Sequence, residues 1–159
     1  MKKQFFLLLL AVLFFTHSTC SAGIPNEDFL INEIDFINNT YEEVLVKLGP
    51  PKRQTSDEKG EPPLNYLTYP GLRVWTFIDT NKIAFILVDN DQFQTKRGIR
   101  VGGTSYKVIK EYGDPERQTI KGHRYFIYKT DSSPEKRLIF DMSEGYVSRI
   151  IITSLPNTP

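Results

Sequence analysis

The sequence predicts an α+β fold: two tandem helix-plus-three-strand units, with the helices packed on one face of an antiparallel sheet. Three observations predict it. A stretch of sequence recurs, each copy opens with a capped amphipathic helix, and three strand-like runs follow each helix.

The recurrence is direct. Thr40 to Thr55 reads TYEEVLVKLGPPKRQT and Thr104 to Thr119 reads TSYKVIKEYGDPERQT, so Thr, Val, Gly, Pro, Arg, Gln and Thr coincide without a gap. The register persists: Ile83 falls on Val147, Ile86 on Ile150 and Val88 on Ile152, while upstream Phe29 falls on Phe93 and Ile37 on Val101. Such self-similarity at a fixed period of about 64 residues marks a repeated structural unit. It divides the chain into a signal peptide (1–22), a lead-in segment (23–39), a first unit (40–103) and a second unit (104–159).

In the first unit Thr40 can cap a helix, and Glu43 three residues on completes a capping box. Val44, Leu45 and Leu48 form one apolar stripe. Gly49 and Pro51 then stop the helix, because glycine accepts a left-handed cap and proline cannot continue the ladder. In the second unit Thr104 caps, Val108, Ile109 and Tyr112 make the stripe, and Gly113 with Pro115 end it. Lys107 stands where the box glutamate would be, which weakens that cap.

Strands are expected over Leu64 to Tyr69, Arg73 to Ile78 and Lys82 to Val88, and again over Arg124 to Lys129, Arg137 to Met142 and Tyr146 to Thr153. These runs are rich in aromatic and β-branched residues and are separated by turn formers such as Pro70-Gly71, Asp79-Thr80-Asn81 and Ser143-Glu144-Gly145. Short links favour antiparallel hairpins, and one six-stranded sheet buries more than two thin three-stranded ones.

The pattern of Thr, Val and Gly-x-Pro ahead of a meander resembles the β-lactamase-inhibitor and BamE/SmpA-like group of envelope proteins. The second copy carries it more fully, with Gly98-Ile99-Arg100-Val101-Gly102-Gly103-Thr104 followed by Val108, Tyr112, Gly113 and Pro115. These motifs are a tight entry loop, a cap and a helix stop, so the resemblance implies a fold far more than an activity. The inhibitory members are tandem units that bind an enzyme across a concave sheet, and the BamE-like members are single units on lipoproteins of outer-membrane assembly. The tandem layout matches the former, although the cysteine pairs often seen there are absent.

Lys2 and Lys3, the apolar run from Phe5 to Phe15 and small residues near Ala22 make the three parts of a secretory signal, with Gly23 as the first mature residue. The run is shorter than the ~20 apolar residues of a membrane span, so a retained anchor helix is the lesser reading. Cys20 could carry a lipid, which would anchor the protein to a membrane. His17 and Thr19 occupy positions where lipoprotein signals usually carry Leu and a small residue. The expected location is therefore periplasmic or secreted.

Net charge is +1 and no basic stripe is present, so nucleic acid is not an expected partner. No enzyme activity, metal site or cofactor is expected. Beyond the signal the chain has one histidine, His123, read as a strand-edge residue, and no Gly-x-Ser-x-Gly element. Asp89-Asn90-Asp91 lacks the spacing of a calcium loop, and Gly102-Gly103 reads as an entry turn.

Strand alternation indicates a binding face. In the second unit Arg137 and Asp141 should face water with Ile139 between them, leaving Leu138, Phe140 and Met142 inside. Arg149 should send Val147, Ile151 and Thr153 outward and Ser148, Ile150 and Ile152 inward. Carried to the first unit, the register turns Arg73, Trp75, Phe77, Ile83, Phe85 and Leu87 outward. That face is far more apolar than its counterpart. It receives a partner protein, with Arg73, Trp75, Phe77, Phe85 and Leu87 as the contact residues, or the segment Ile24 to Ile37 covers it, or its residues are simply core. The leading expectation is a protein-binding exported domain. A membrane-anchored assembly accessory and an unrecognised enzyme are the alternatives.

Overall fold

The computed structural model describes residues 23–156 and Thr158; the signal peptide and Cys20 lie outside the described residues. A 3-10 turn over Asn26–Asp28 leads into a small ribbon, β1 (Leu30–Ile31) paired with β2 (Ile34–Asp35). Helix α1 (Tyr41–Leu48) and four strands follow: β3 (Arg53–Asp57), β4 (Leu64–Tyr69), β5 (Leu72–Phe77) and β6 (Ile83–Val88). Helix α2 (Ser105–Tyr112) then precedes β7 (Glu116–Ile120), β8 (His123–Lys129), β9 (Arg137–Ser143) and β10 (Tyr146–Thr153). The order β3-β4-β5-β6-β10-β9-β8-β7 makes one eight-stranded sheet, antiparallel throughout, of two meanders joined at β6 and β10.

The expected α+β fold of two helix-plus-three-strand units is thus incorrect. Strand predominates; besides the short β1–β2 ribbon of the lead-in, the missed elements are the two edge strands of the large sheet. Every residue of β3 is exposed, and so is all of β7 except half-buried Gln118. Their sequences, RQTSD and ERQTI, carry no hydrophobic alternation because neither face has a core to meet. Pairing with β4 and β8 makes them strands, and polar, charged side chains suit an edge that faces water.

Local chemistry governs the helices. The Thr40 hydroxyl accepts from the Glu43 amide at 3.4 Å and the Glu43 carboxylate accepts from the Thr40 amide at 2.7 Å, a complete capping box. Thr104 accepts from the Lys107 amide at 3.2 Å without the reciprocal bond. Gly49 and Gly113 close the helices at φ of 74° and 83°, where a Cβ would be strained. The hydroxyls of Tyr69 and Tyr128 donate to those glycine carbonyls at 3.1 and 2.9 Å, so each helix end is tied to a strand.

Both helices and the lead-in pack on one sheet face. Phe29, Ile31, Ile34 and Phe36 join Val44, Val108, Leu67, Ile86, Phe140 and Ile150 in one core. The lead-in therefore fills the helix side and does not cover the opposite face, as the alternative expectation had it. Arg97, in the connection between β6 and α2, fastens it there. Its guanidinium donates from Nε to Asp28 Oδ1 at 3.0 Å, a second nitrogen meets Oδ2, and a third donates to the Glu111 carbonyl. The same group lies 4.7 Å from the Tyr112 ring centroid.

Tyr112, Tyr128 and Phe140 form an aromatic cluster with centroids 5.3 to 6.0 Å apart. Burial pushes the Tyr112 hydroxyl up to about 12, and burial raises Tyr128 as well. The unfolded chain releases a tyrosine proton near pH ~10 while folded Tyr112 keeps it. This contribution to stability is complete below pH ~10 and declines up to pH ~12, at no more than about 1.4 kcal/mol per pH unit for one proton. Tyr112→Phe should flatten that decline in urea unfolding followed at pH 9, 10 and 11. Parallel curves for the two proteins would show that Tyr112 does not couple.

Candidate functional site

The sheet face opposite the helices carries the candidate site. Strand pairing arranges its residues in rows. One row runs Ile127, Ile139, Ile151, Leu87 and Arg73 across five strands. A second runs Arg137, Thr153, Phe85, Trp75 and Tyr66. Phe85, Leu87, Tyr125, Ile127, Ile139 and Ile151 form a second buried cluster, with Trp75 and Leu155 packed against it.

The expected outward positions need two corrections. Ile83 and Val147 belong to the core on the helix side. In each meander one residue is extra: Trp75 pairs with Phe85 and Thr76 with Ile83, which leaves Ala84 unpaired, and Val147 pairs with Met142 and Arg149 with Asp141, which leaves Ser148 unpaired. A bulge of one residue reverses side-chain alternation beyond it. The same bulge turns Ser148 away from the core, and its hydroxyl donates to the Asp141 carbonyl at 3.0 Å. The apolar run is also not confined to the first unit, since Tyr125, Ile127, Ile139 and Ile151 extend it across the second.

Of the five expected contact residues, Arg73 is exposed, Trp75 and Phe77 are half-buried, and Phe85 and Leu87 are buried. Arg73 makes a 3.3 Å ion pair with Asp89, exposed on both sides and of small energetic weight. Trp75 stacks on Phe85 with centroids 4.1 Å apart at 19°, and Tyr66 meets Trp75 edge-on at 5.3 Å and 70°. Phe85 is the support beneath Trp75 and not a contact surface. Phe77 pairs across the strands with Leu64.

Trp75 and Tyr66 line a groove of about 500 Å³ between the loop after β3 and the C-terminal segment. Asp57 and Glu61 line it together with Leu155 and Pro156. The C-terminal segment is held by Arg137, whose guanidinium donates to the carbonyls of Leu155 and Thr158. Sequence reasoning missed Tyr66, Asp57, Glu61 and Leu155. Alternation along β4 is a signal that could have found Tyr66, which pairs with Trp75, but the loop and C-terminal contributions depend on which strands are neighbours.

At the positions that mirror Trp75 and Phe85 about the β6–β10 join, the second meander carries Asp141 and Arg149. Asp141 pairs across from Tyr125 as Trp75 does from Tyr66. Arg149 donates to Asp141 Oδ2 from Nε at 2.9 Å and from a second nitrogen, and His123 Nδ1 lies 3.4 Å from Oδ1. These three line a polar basin of about 720 Å³ with Arg124, Ser143 and Glu144. His123 is thus more than a strand-edge residue, yet the carboxylate it faces is already held by Arg149. Among the described residues no group of three or more His, Cys, Asp or Glu is placed to hold a metal, and no helix is long and apolar enough to cross a membrane.

No family model matches the chain. No curated protein matches it either. Two solved structures are similar. An extracellular protein containing a SCP domain from Bacillus anthracis strain Ames superposes with a TM-score of 0.50 at 13% identity, over 74% of this chain and 44% of that one. A DUF4309 family protein, YjgB, from Bacillus subtilis superposes with a TM-score of 0.47 at 14% identity, over 84% of this chain and 88% of that one. The chain therefore spans less than half the length of the first, and at that identity the likeness is one of fold.

Proposed function

We propose that this is an exported, non-enzymatic protein that binds another protein through the sheet face opposite its helices. One observation carries the reading. Tyr66 and Trp75 line an open groove at the end of a buried apolar cluster, and Phe85 fixes the Trp75 ring from below. Rigid, half-buried aromatic rings on a packed support are the usual energetic centres of protein interfaces. The resemblance of the Thr–Val–Gly-x-Pro segments to inhibitor-like proteins that bind across a sheet supports the same class of function. Export rests on Lys2, Lys3 and the apolar run to Phe15, and is in keeping with a structural neighbour described as extracellular.

Truncating both rings tests the reading. Tyr66→Ala with Trp75→Ala should lower partner capture by about 30-fold, the equivalent of ~2 kcal/mol at an interface centre, with an unchanged far-UV circular dichroism spectrum. Phe85 is unsuitable for this test, because removing a buried support would disturb the sheet itself. Equal capture by the folded variant would refute the proposal. Mass spectrometry of the exported protein should find a free N-terminus at Gly23, and an acylated Cys20 would instead establish a membrane anchor.

A further inference from the structure

We propose that the groove receives a cationic side chain, lysine or arginine, from an extended segment of the partner protein. The inference rests on the protein-binding reading above and names the chemistry of its contact. The groove combines an aromatic floor with two carboxylates. Phe85 stacks on Trp75 from one neighbouring strand and Tyr66 meets it at 70° from the other, so packing fixes the orientation of the indole that lines the groove. The face of an indole is the best of the aromatic surfaces for a cation, and more so where water is partly excluded.

Asp57 and Glu61 supply formal charge on the same groove. Asp57 Oδ1 accepts the backbone amides of Lys59 at 3.2 Å and Gly60 at 3.0 Å, which fixes the loop and the carboxylate together. Among the described residues neither Asp57 nor Glu61 forms an ion pair, and no Lys, Arg or His lines the groove. An anionic ligand would meet two uncompensated carboxylates, and a purely apolar one would desolvate them without a partner. A lysine or arginine satisfies both demands: its aliphatic stem suits the apolar lining of Leu155 and Pro156, and its charged head suits the carboxylates beside the aromatic rings.

Trp75 is the single tryptophan of the chain, so its fluorescence reports on this groove alone. The probe is an end-blocked peptide alternating lysine and serine, compared with peptides in which glutamate or norleucine replaces lysine, and with a neutral oligosaccharide. Only the lysine peptide should give a saturable change in emission, and arginine in place of lysine should give one as well. Glu61→Gln, at a residue whose side chain makes no hydrogen bond among the described residues, should weaken binding about threefold, and Glu61→Gln with Asp57→Asn about tenfold. Binding of the norleucine or glutamate peptide or the oligosaccharide as strong as that of the lysine peptide would overturn the inference, as would full binding by Glu61→Gln. If the Tyr66→Ala, Trp75→Ala variant loses its protein partner while Glu61→Gln and the lysine peptide leave capture unchanged, the charge assignment falls and the protein-binding face stands. If none of these changes affects capture, both fall.

Discussion

Arg97→Ala should cost about 3–5 kcal/mol of folding stability, the range measured when one partner of a buried ion pair is removed. The Asp28 side chain is 3% exposed and meets two nitrogens of the Arg97 guanidinium. Without Arg97 that carboxylate is left in the interior with no cation. The loss is compounded at Glu111, whose carbonyl at the end of α2 also accepts from Arg97, where a cation is favoured by the helix dipole. The lead-in, distant in sequence, meets the β6–α2 connection and α2 at this one side chain. A domain of this kind has about 5–15 kcal/mol in total, so the variant should unfold at a urea midpoint lower by about 2 M. Arg97→Lys should recover little of it, because an ammonium cannot bridge both carboxylate oxygens and a carbonyl in one plane. A midpoint shift below about 0.3 M for Arg97→Ala would mean that Asp28 finds another partner or water.

The second large effect is expected at Arg149. Asp141 is 1% exposed at its side chain and takes two hydrogen bonds from the Arg149 guanidinium. His123, at 3.4 Å and more than half exposed, is a poor substitute. Arg149→Ala should therefore destabilise by about 3 kcal/mol. The mirrored positions of the first meander suggest the compensating change. There the same place on the sheet is filled by an apolar stack, Trp75 on Phe85. Replacing both charges, with Asp141→Leu and Arg149→Met, should restore most of the stability, because apolar residues of similar volume commonly equal or exceed a buried ion pair. A double variant as unstable as the single one would show that the ion pair contributes more than its own desolvation cost.

Much of this fold was legible in particular residues. Thr40 with Glu43, Gly49 and Gly113 announce helix ends through contacts within three or four residues, and those ends form as the chemistry dictates. The central strands announce themselves by alternation and by their turn residues. The edge strands did not, because polar residues with no buried face look like loop. The candidate site was legible only in part. Trp75 and its neighbours on the outer face follow from alternation, whereas the acidic loop, Leu155 and the polar basin come from pairing across the sheet.

The sequence by itself therefore determined the helix caps, the central strands and the aromatic character of the outer face, since each depends on residues close along the chain. Tertiary structure alone decided where the lead-in goes, that β3 and β7 are strands, and that Ala84 and Ser148 are bulged so that Ile83 and Val147 turn inward. It also decided that Phe85 is support and that Trp75 remains accessible beside Asp57 and Glu61. The physical reason is the range of the interactions. Caps and alternation are satisfied within a few residues, while a bulge, a buried ion pair or a groove exists only once distant strands have chosen their neighbours.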